Sequence, residues 1–357
     1  MRRAYILLAL LLLVLLAGTL SGVVFLTSVP EQSARPLVID VPQGARLTTI
    51  AEKLEAEHAI TNAKLFCLLA RITQNQGKLQ TGRFALTTAM RPYEVLHTLV
   101  HGKPVLYRIT IPEGLPWWKV AALLSENGFV WKEAFHAVIT DPAFLKAMGI
   151  PFPSCEGFLM PDTYLLKKEE QILKEAENDP ANTLSSDELR QKHARTIATR
   201  LVGNFWKRAK EIVPDIKTNA QQSKRLVILA SIVEKETAIP SERARIAGVY
   251  TNRLRKHMLL QADPTVIYGL GPTFTGKLLY RHLDAKNNPY NTYQLPGLPP
   301  GPICSFGMEA LRAAANPEAH DYLYFVAKGQ GGEHVFSKDL KDHQKAVRDY
   351  RKSQRAQ

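Results

Sequence analysis

The chain has 357 residues, 45% of them hydrophobic and 22% charged, with a formal net charge of +13. That length calls for two or three domains, and the balance of apolar to charged residues excludes global disorder. The excess of Lys and Arg is spread along the chain, with one loose cluster at Lys338, Lys341, Lys345, Arg348, Arg351 and Lys352; it suits an anionic bilayer or a carboxylate-bearing polymer, and with no nucleic-acid motif beside it nucleic acid is not an expected partner.

Arg2 and Arg3 precede an uncharged stretch from Ala4 to Val29. A membrane-spanning helix needs about 20 apolar residues, whereas a cleavable signal has an apolar region of about 7–15. Residues 1–29 are therefore expected to form a cytoplasmic start and an uncleaved single-pass anchor. The two arginines place the N-terminus in the cytoplasm and the remaining chain outside the membrane. Residues 30–36 read as a short polar linker.

An internal repeat follows. Val38-Ile39-Asp40-Val41-Pro42-Gln43-Gly44 leads into Ile50-Ala51-Glu52-Lys53-Leu54, and Tyr107-Arg108-Ile109-Thr110-Ile111-Pro112-Glu113-Gly114 leads into Val120-Ala121-Ala122-Leu123-Leu124. Each unit predicts an alternating strand, a Pro-x-Gly turn and an amphipathic helix. Ile60 and Val130 align at the same offset, and Gly82-Arg83-Phe84-Ala85-Leu86 reads as a further strand. The resulting strand-helix-helix-strand outline of residues 37–104 resembles a LysM-like glycan-binding module. Residues 105–165 hold the second copy and a linking region. The stretch 167–195 is charged and poor in large apolar residues, which predicts an exposed loop and helix with no chemistry.

From about Ala194 the chain is mainly helical. Leu226 to Val233 is almost wholly apolar, so its helix is buried on most sides. Another helix is expected from Ser241 to Lys256. Asp263-Pro264-Thr265 has the form of an N-cap with proline at the first helical position. Tyr322-Leu323-Tyr324-Phe325-Val326 and His334-Val335-Phe336 flank Gly329-Gln330-Gly331-Gly332, a hairpin signal. A basic amphipathic helix closes the chain. The expected fold class is α+β: a transmembrane helix, a small α/β module, and a mainly helical domain over 166–357 with a C-terminal β-hairpin. Cys67, Cys155 and Cys304 show no CxxC spacing and the ten histidines no ligand spacing, so no metal and no cofactor is expected.

The apolar helix ends in Ser231-Ile232-Val233-Glu234-Lys235-Glu236-Thr237. At 100° per residue Glu236 shares a stripe with Leu229, Ile232 and Val233, and Glu234 lies about 200° around from it. The two cannot form a side-by-side dyad. Burial among aliphatic side chains raises a carboxyl's pKa, and an acid that stays protonated near neutrality can protonate a leaving oxygen. Glu236 has the bulkier neighbours and is the better candidate. The alternative is that the helix ends with both glutamates in water.

The segment Ser231 to Ala238, with Ser241-Glu242-Arg243, Val249-Tyr250-Thr251-Asn252-Arg253-Leu254, Leu260-Gln261-Ala262-Asp263-Pro264-Thr265-Val266-Ile267-Tyr268-Gly269 and Tyr290-Asn291-Thr292-Tyr293, resembles the endolytic murein transglycosylase family, also called YceG-like. Glu156-Gly157-Phe158-Leu159-Met160-Pro161-Asp162-Thr163-Tyr164 and Gly297-Leu298-Pro299-Pro300-Gly301-Pro302-Ile303 fit it as well. The resemblance implies a lyase that cuts inside peptidoglycan glycan strands at the MurNAc–GlcNAc backbone and leaves 1,6-anhydro-MurNAc ends, terminating nascent strands. It implies a LysM-like domain beside the membrane, and it places the essential glutamate at Glu236, with Glu234 second. Asn252, Gln261, Tyr268, Tyr290, Asn291 and Tyr293 lie within the matching motifs and suit sugar hydroxyls and N-acetyl groups. Tyr268 has a core alternative, Glu156 either orders a turn or reaches the cleft, and Asp263 is expected as an N-cap rather than a catalyst. Expected partners are peptidoglycan strands, the bacterial inner (cytoplasmic) membrane and, by family analogy, wall-synthesising enzymes. Two other readings stay open: a non-catalytic wall-binding scaffold, and a hydrolase that uses water.

Overall fold

The computed structural model describes residues 13, 18–31, 33–42, 44–102, 105–177, 179, 181–329 and 332–355. Most of the expected anchor, residues 1–12 and 14–17, lies outside that set. Residues 18–27 are helical, with Leu20, Val23 and Val24 exposed. Among the described residues no helix is long and apolar enough to cross a membrane. The chain divides into two compact units, residues 1–109 with 164–168, and residues 110–163 with 169–357.

The first unit is built on β1 (Pro36–Val41) and β2 (Gly82–Thr87), paired antiparallel with Ile39 opposite Phe84. Alternation sends Ile39, Val41, Phe84 and Leu86 inward. Three helices cover them: α1 (Leu47–Ala56), α2 (Ala63–Ile72) and α3 (Pro92–His101). The Asn62 side chain caps α2 by accepting the Leu65 N–H, and Pro92 opens α3 at a position where its missing N–H costs nothing. Leu54, Phe66, Leu96 and Leu99 complete the core.

β3 (Tyr107–Ile111) pairs with β4 (Asp162–Leu166), and the chain passes from one unit to the other within these two strands. Both copies of the expected repeat are present. Each strand is followed by a glycine in the left-handed region, Gly44 at φ 74° and Gly114 at φ 77°, and then by a helix, α1 in the first copy and α4 (Trp117–Glu126) in the second. The second copy, with α5 (Lys132–Ile139) and α6 (Pro142–Met148), clusters with the helical unit rather than standing as a linker between domains. The reason is apolar: Val120, Leu124, Phe135, Ile139 and Phe144 are all buried.

In the second unit α7 (Glu169–Glu177) buries no residue, as the polar stretch suggests. The following α8 (Ser186–Ile212) is a 27-residue helix started by a Ser185–Glu188 capping box. Its buried face, from Ala194 to Trp206, joins Phe152, Phe158 and Phe306 in an aromatic core. α9 (Ala220–Glu236) is the central helix, with every residue from Leu226 to Val233 buried. It packs against α10 (Arg243–Arg255) and α13 (Met308–Ala315). The short α11 (Asp263–Gly269) and α12 (Tyr280–Leu283) lie between them in sequence. The hairpin is β5 (Tyr324–Ala327) with β6 (His334–Ser337), and α14 (Leu340–Arg355) packs on both strands. All three cysteines are buried thiols.

Candidate active site

α9 stops because Thr237 turns extended, its hydroxyl accepts the Ile239 N–H, and Pro240 follows. The last helical turn presents Glu234, Lys235 and Glu236 in succession, and the helical period sends them to different partners. Glu234 accepts the Gly307 N–H at 3.1 Å and faces Arg243 at 3.6 Å. Burial pushes its carboxyl up, against the pull of Gly307 and Arg243. Lys235 donates to the Gly114 carbonyl at 3.2 Å. Glu236 instead receives the Tyr250 hydroxyl at 2.6 Å from across α10.

Glu236 keeps some solvent access as a residue while its carboxyl is enclosed by protein. Burial pushes its pKa up to about 7 and the charge of Asp263 adds to this, while Tyr250 and Arg253 pull the other way. The negative end of the α9 dipole acts in the same direction as burial. Tyr250 is itself 2% exposed and stands edge-on to Phe325, so its hydroxyl has little freedom to leave the carboxylate.

Around this acid the structure gathers Asp263, Tyr293 and Arg253, and Arg253 in turn holds Gln261. Asp263 accepts the Tyr293 hydroxyl at 2.6 Å. The expected N-cap role of Asp263 is corrected: α11 begins at Asp263 itself, its N-cap is Ala262 without a side-chain bond, and the Asp263 carboxylate is thereby free to turn toward Glu236. Thr292 fixes this segment, receiving the Ala262 N–H at 3.0 Å and sharing a hydroxyl contact with Thr265 at 2.9 Å. Gln261 sits at φ 52°, a left-handed conformation that costs a non-glycine residue about 1–3 kcal/mol. Its side chain accepts from Arg253 at 3.3 Å, and the same guanidinium also holds the carbonyls of Leu260 and Leu323.

A second group surrounds Glu156, which is 2% exposed. Its carboxyl accepts the N–H of Trp117 at 3.0 Å, the N–H of Gly157 at 3.2 Å and the hydroxyl of Tyr268. Burial raises its pKa to about 7 despite these three donors. Gly157 is at φ 79°, and a Cβ there would sit 2.8 Å from Pro302 and 3.0 Å from Val227, so only glycine fits. Tyr268 is flanked by Trp118 at 4.9 Å and Tyr290 at 4.7 Å between ring centres.

The residues singled out from the sequence thus separate into four groups. Glu236 and Tyr293 come together at the acid with Gln261 one step away on Arg253, and Tyr268 and Tyr290 form the aromatic wall over Glu156. Asn252 and Asn291 lie in the scaffold: the Asn252 amide holds the carbonyls of His320 and Tyr322, and the fully buried Asn291 holds those of Leu283 and Ala285. Glu234 is committed to Gly307 and Arg243. Tyr250, Arg253 and Asp263 join the site without having been singled out as site residues. Nothing in their spacing points there, because their partner lies on another helix.

An enclosed carboxylic acid whose pKa burial pushes up to about 7, and which accepts a tyrosine hydroxyl, is suited to general acid–base chemistry. The pattern of the YceG-like family matches residues 39–349, and the chain belongs to that family. It is 30% identical over 346 residues to an endolytic murein transglycosylase of Bacillus subtilis, covering 93% of this chain and 89% of that protein. It is 26% identical to an endolytic murein transglycosylase of Streptococcus pneumoniae, covering 91% of this chain and 60% of the longer pneumococcal protein. A crystal structure of a YceG-like protein from Listeria monocytogenes superposes with a TM-score of 0.53 at 29% identity, covering 88% of this chain and 99% of that one.

Proposed function

We propose that the chain is an endolytic murein transglycosylase, a lyase that cuts the MurNAc–GlcNAc backbone within a glycan strand and leaves a 1,6-anhydro-MurNAc end. The observation that carries the chemistry is the enclosed Glu236 carboxyl, which accepts the Tyr250 hydroxyl at 2.6 Å and whose pKa burial pushes up to about 7. Glu236 gives its proton to the bridging oxygen as positive charge develops at C1 of the sugar. The carboxylate left behind takes the proton of the sugar's own 6-hydroxyl as that oxygen closes on C1. No water enters, so the residue returns to its starting state in one cycle. Tyr250 holds one carboxyl oxygen, leaving the other to face the substrate. Asp263, oriented by Tyr293, adds negative charge where the oxocarbenium-like state develops. Tyr293, Gln261 and the Tyr268–Tyr290 wall are the side chains offered to the sugars.

Asp263 beside Glu236 also favours a second reading, since ordinary glycosidases use two carboxylates. Digestion of purified glycan strands and mass analysis of the products separates the two. Ends lighter by one water support the transglycosylase; reducing ends would establish a hydrolase, and no cleavage a scaffold.

The wider assignment has separate supports. The uncharged segment Ala4–Val29 behind Arg2 and Arg3 supports a single-pass anchor in the bacterial cytoplasmic membrane, with the catalytic unit on the outer side. The strand-helix-helix-strand order of residues 37–104 supports a LysM-like glycan-binding role for the first unit. An anchored enzyme that ends growing strands would work beside wall-synthesising enzymes; a pull-down with the anchor retained tests that, and loss of every synthase contact would sink it.

A further inference from the structure

A groove with a volume of about 310 Å³ opens beside the acid, lined by Lys235 and Pro264, the chain neighbours of Glu236 and Asp263. Its far walls are Trp118, Tyr268, Ile267 and Phe274. Ligand pockets run from about 300 to 1,000 Å³, so this one suits a substituent rather than a further length of glycan. Apart from the aromatic and aliphatic walls, its charged lining is two ammonium groups, Lys119 and Lys235, and no carboxylate.

Among the described residues neither ammonium forms a direct ion pair, although the charge of Lys235 is felt by Glu234. Lys119 is exposed, with no carboxylate partner among the described residues. Lys235 uses one of its three donors on the Gly114 carbonyl, which holds the head group at the rim. The acidic residues that could have compensated them are turned to Arg243, Glu113 at 3.9 Å and Glu234 at 3.6 Å. The groove is thus an apolar slot with two ammonium groups and no carboxylate in its lining. A neutral sugar ring gains nothing from that charge, whereas a short peptide with free carboxylates gains from both charge and walls.

We infer that this groove takes the carboxylate-bearing stem peptide of the muramoyl sugar, so that the chain cleaves peptide-substituted strands in preference to bare glycan. The inference rests on the murein reading above and names the part of that polymer the site selects. Tyr268, held by the buried Glu156, supplies the wall shared by the groove and the aromatic row. Trp118, carried on the first turn of α4, lies against Tyr268 and extends that wall.

The test has two arms. In the first, kcat/KM is measured on glycan strands with their stem peptides and on the same strands after amidase treatment. The expected ratio is at least tenfold in favour of the peptide-bearing strands, falling toward one in the Lys119→Gln/Lys235→Gln variant. A wild-type ratio near one, or a ratio unchanged in the variant, would overturn the inference. In the second arm, N-acetylmuramoyl-tripeptide and its carboxamide are titrated calorimetrically into the full chain. At least tenfold tighter binding of the free acid is expected, and equal affinities would refute the groove assignment. If neither strand yields anhydro ends, the murein transglycosylase reading fails, and the calorimetric arm still decides the groove by itself.

Discussion

In the first copy of the strand–turn–helix repeat, Gly44 turns the chain after β1 and Ile50, Ala51 and Leu54 of α1 enter a small core. The polar groups there serve only the unit itself, as when the Lys53 ammonium donates to the Asp40 carbonyl at 3.0 Å. In the second copy Gly114 makes the same turn, and Val120, Ala121 and Leu124 of α4 are buried in the same way. Its backbone, however, is used by the site. The Gly114 N–H donates to Ser305 at 2.7 Å, its carbonyl receives Lys235, and the first N–H of α4 is held by Glu156. One local pattern therefore makes a support in one unit and a wall of the cleft in the other. What differs is which groups meet the free N–H and C=O groups at the turn and helix start.

The sharpest way to break this contrast is at the acid itself. Glu236→Gln keeps the shape and the Tyr250 contact but removes the proton; it should lower kcat/KM by about 10³-fold while the chain stays folded, within the range for general acid–base groups. A matched pair of core truncations comes next. Leu54 and Leu124 occupy equivalent places in the two copies and are both fully buried. Leu54→Ala and Leu124→Ala should each cost about 2–5 kcal/mol in denaturant unfolding. Below the transition only Leu124→Ala should reduce kcat on short soluble strands, because α4 carries Trp117 and Trp118. Equal losses of kcat would erase the contrast.

Glu156 gives a stability test. Its carboxyl holds a proton up to about pH 7 in the folded chain, against about 4.5 for the ordinary group. Between those values the folded state binds more protons than the unfolded state, so stability is full below about pH 4.5 and falls as pH rises toward 7. Glu236 contributes with the same sign. Glu156→Gln should therefore shrink the stability difference between pH 4.5 and pH 8 by roughly 3 kcal/mol. An undiminished difference in urea unfolding would show that burial of Glu156 is not its source. The smallest effects belong to the neighbours of the acid. Tyr250→Phe removes a donor to the ionised form and should move the alkaline limb of kcat/KM up by about one unit. Asp263→Asn removes a repelling charge and should move the limb down by a similar or smaller amount. Shifts of the same sign would count against the arrangement around Glu236.

Much of this was legible in the residues. The duplicated strand and Pro-x-Gly turn, the apolar run Leu226–Val233 and the hairpin around Gly329 and Gly332 are local patterns, and local geometry decided them. The separation of Glu234 from Glu236 follows from the helical period alone. The partner of each glutamate does not. Tyr250 reads as one more inward residue of α10, and only the packing of α10 on α9 brings its hydroxyl to Glu236. Asp263-Pro264 carries the signature of a cap, yet Thr292, from a distant loop, takes over the job of fixing that turn. Glu156 could be a turn former or a cleft residue by sequence, and it is a buried carboxyl that ties the start of α4 to Tyr268. Asn252 and Asn291 sit in motifs beside the site, but their amides are consumed by backbone carbonyls.

The assignment of Glu236 as the acid rests on its being protonated before substrate arrives, and the pH profile of kcat/KM reports that state in the free enzyme. Measured on peptide-bearing strands, the profile should fall with an apparent pKa near 7, and the Tyr250→Phe variant should carry the same limb to higher pH. A wild-type profile that stays flat from pH 5 to pH 9, or a limb unmoved by Tyr250→Phe, would contradict Glu236 as the residue that gives the proton.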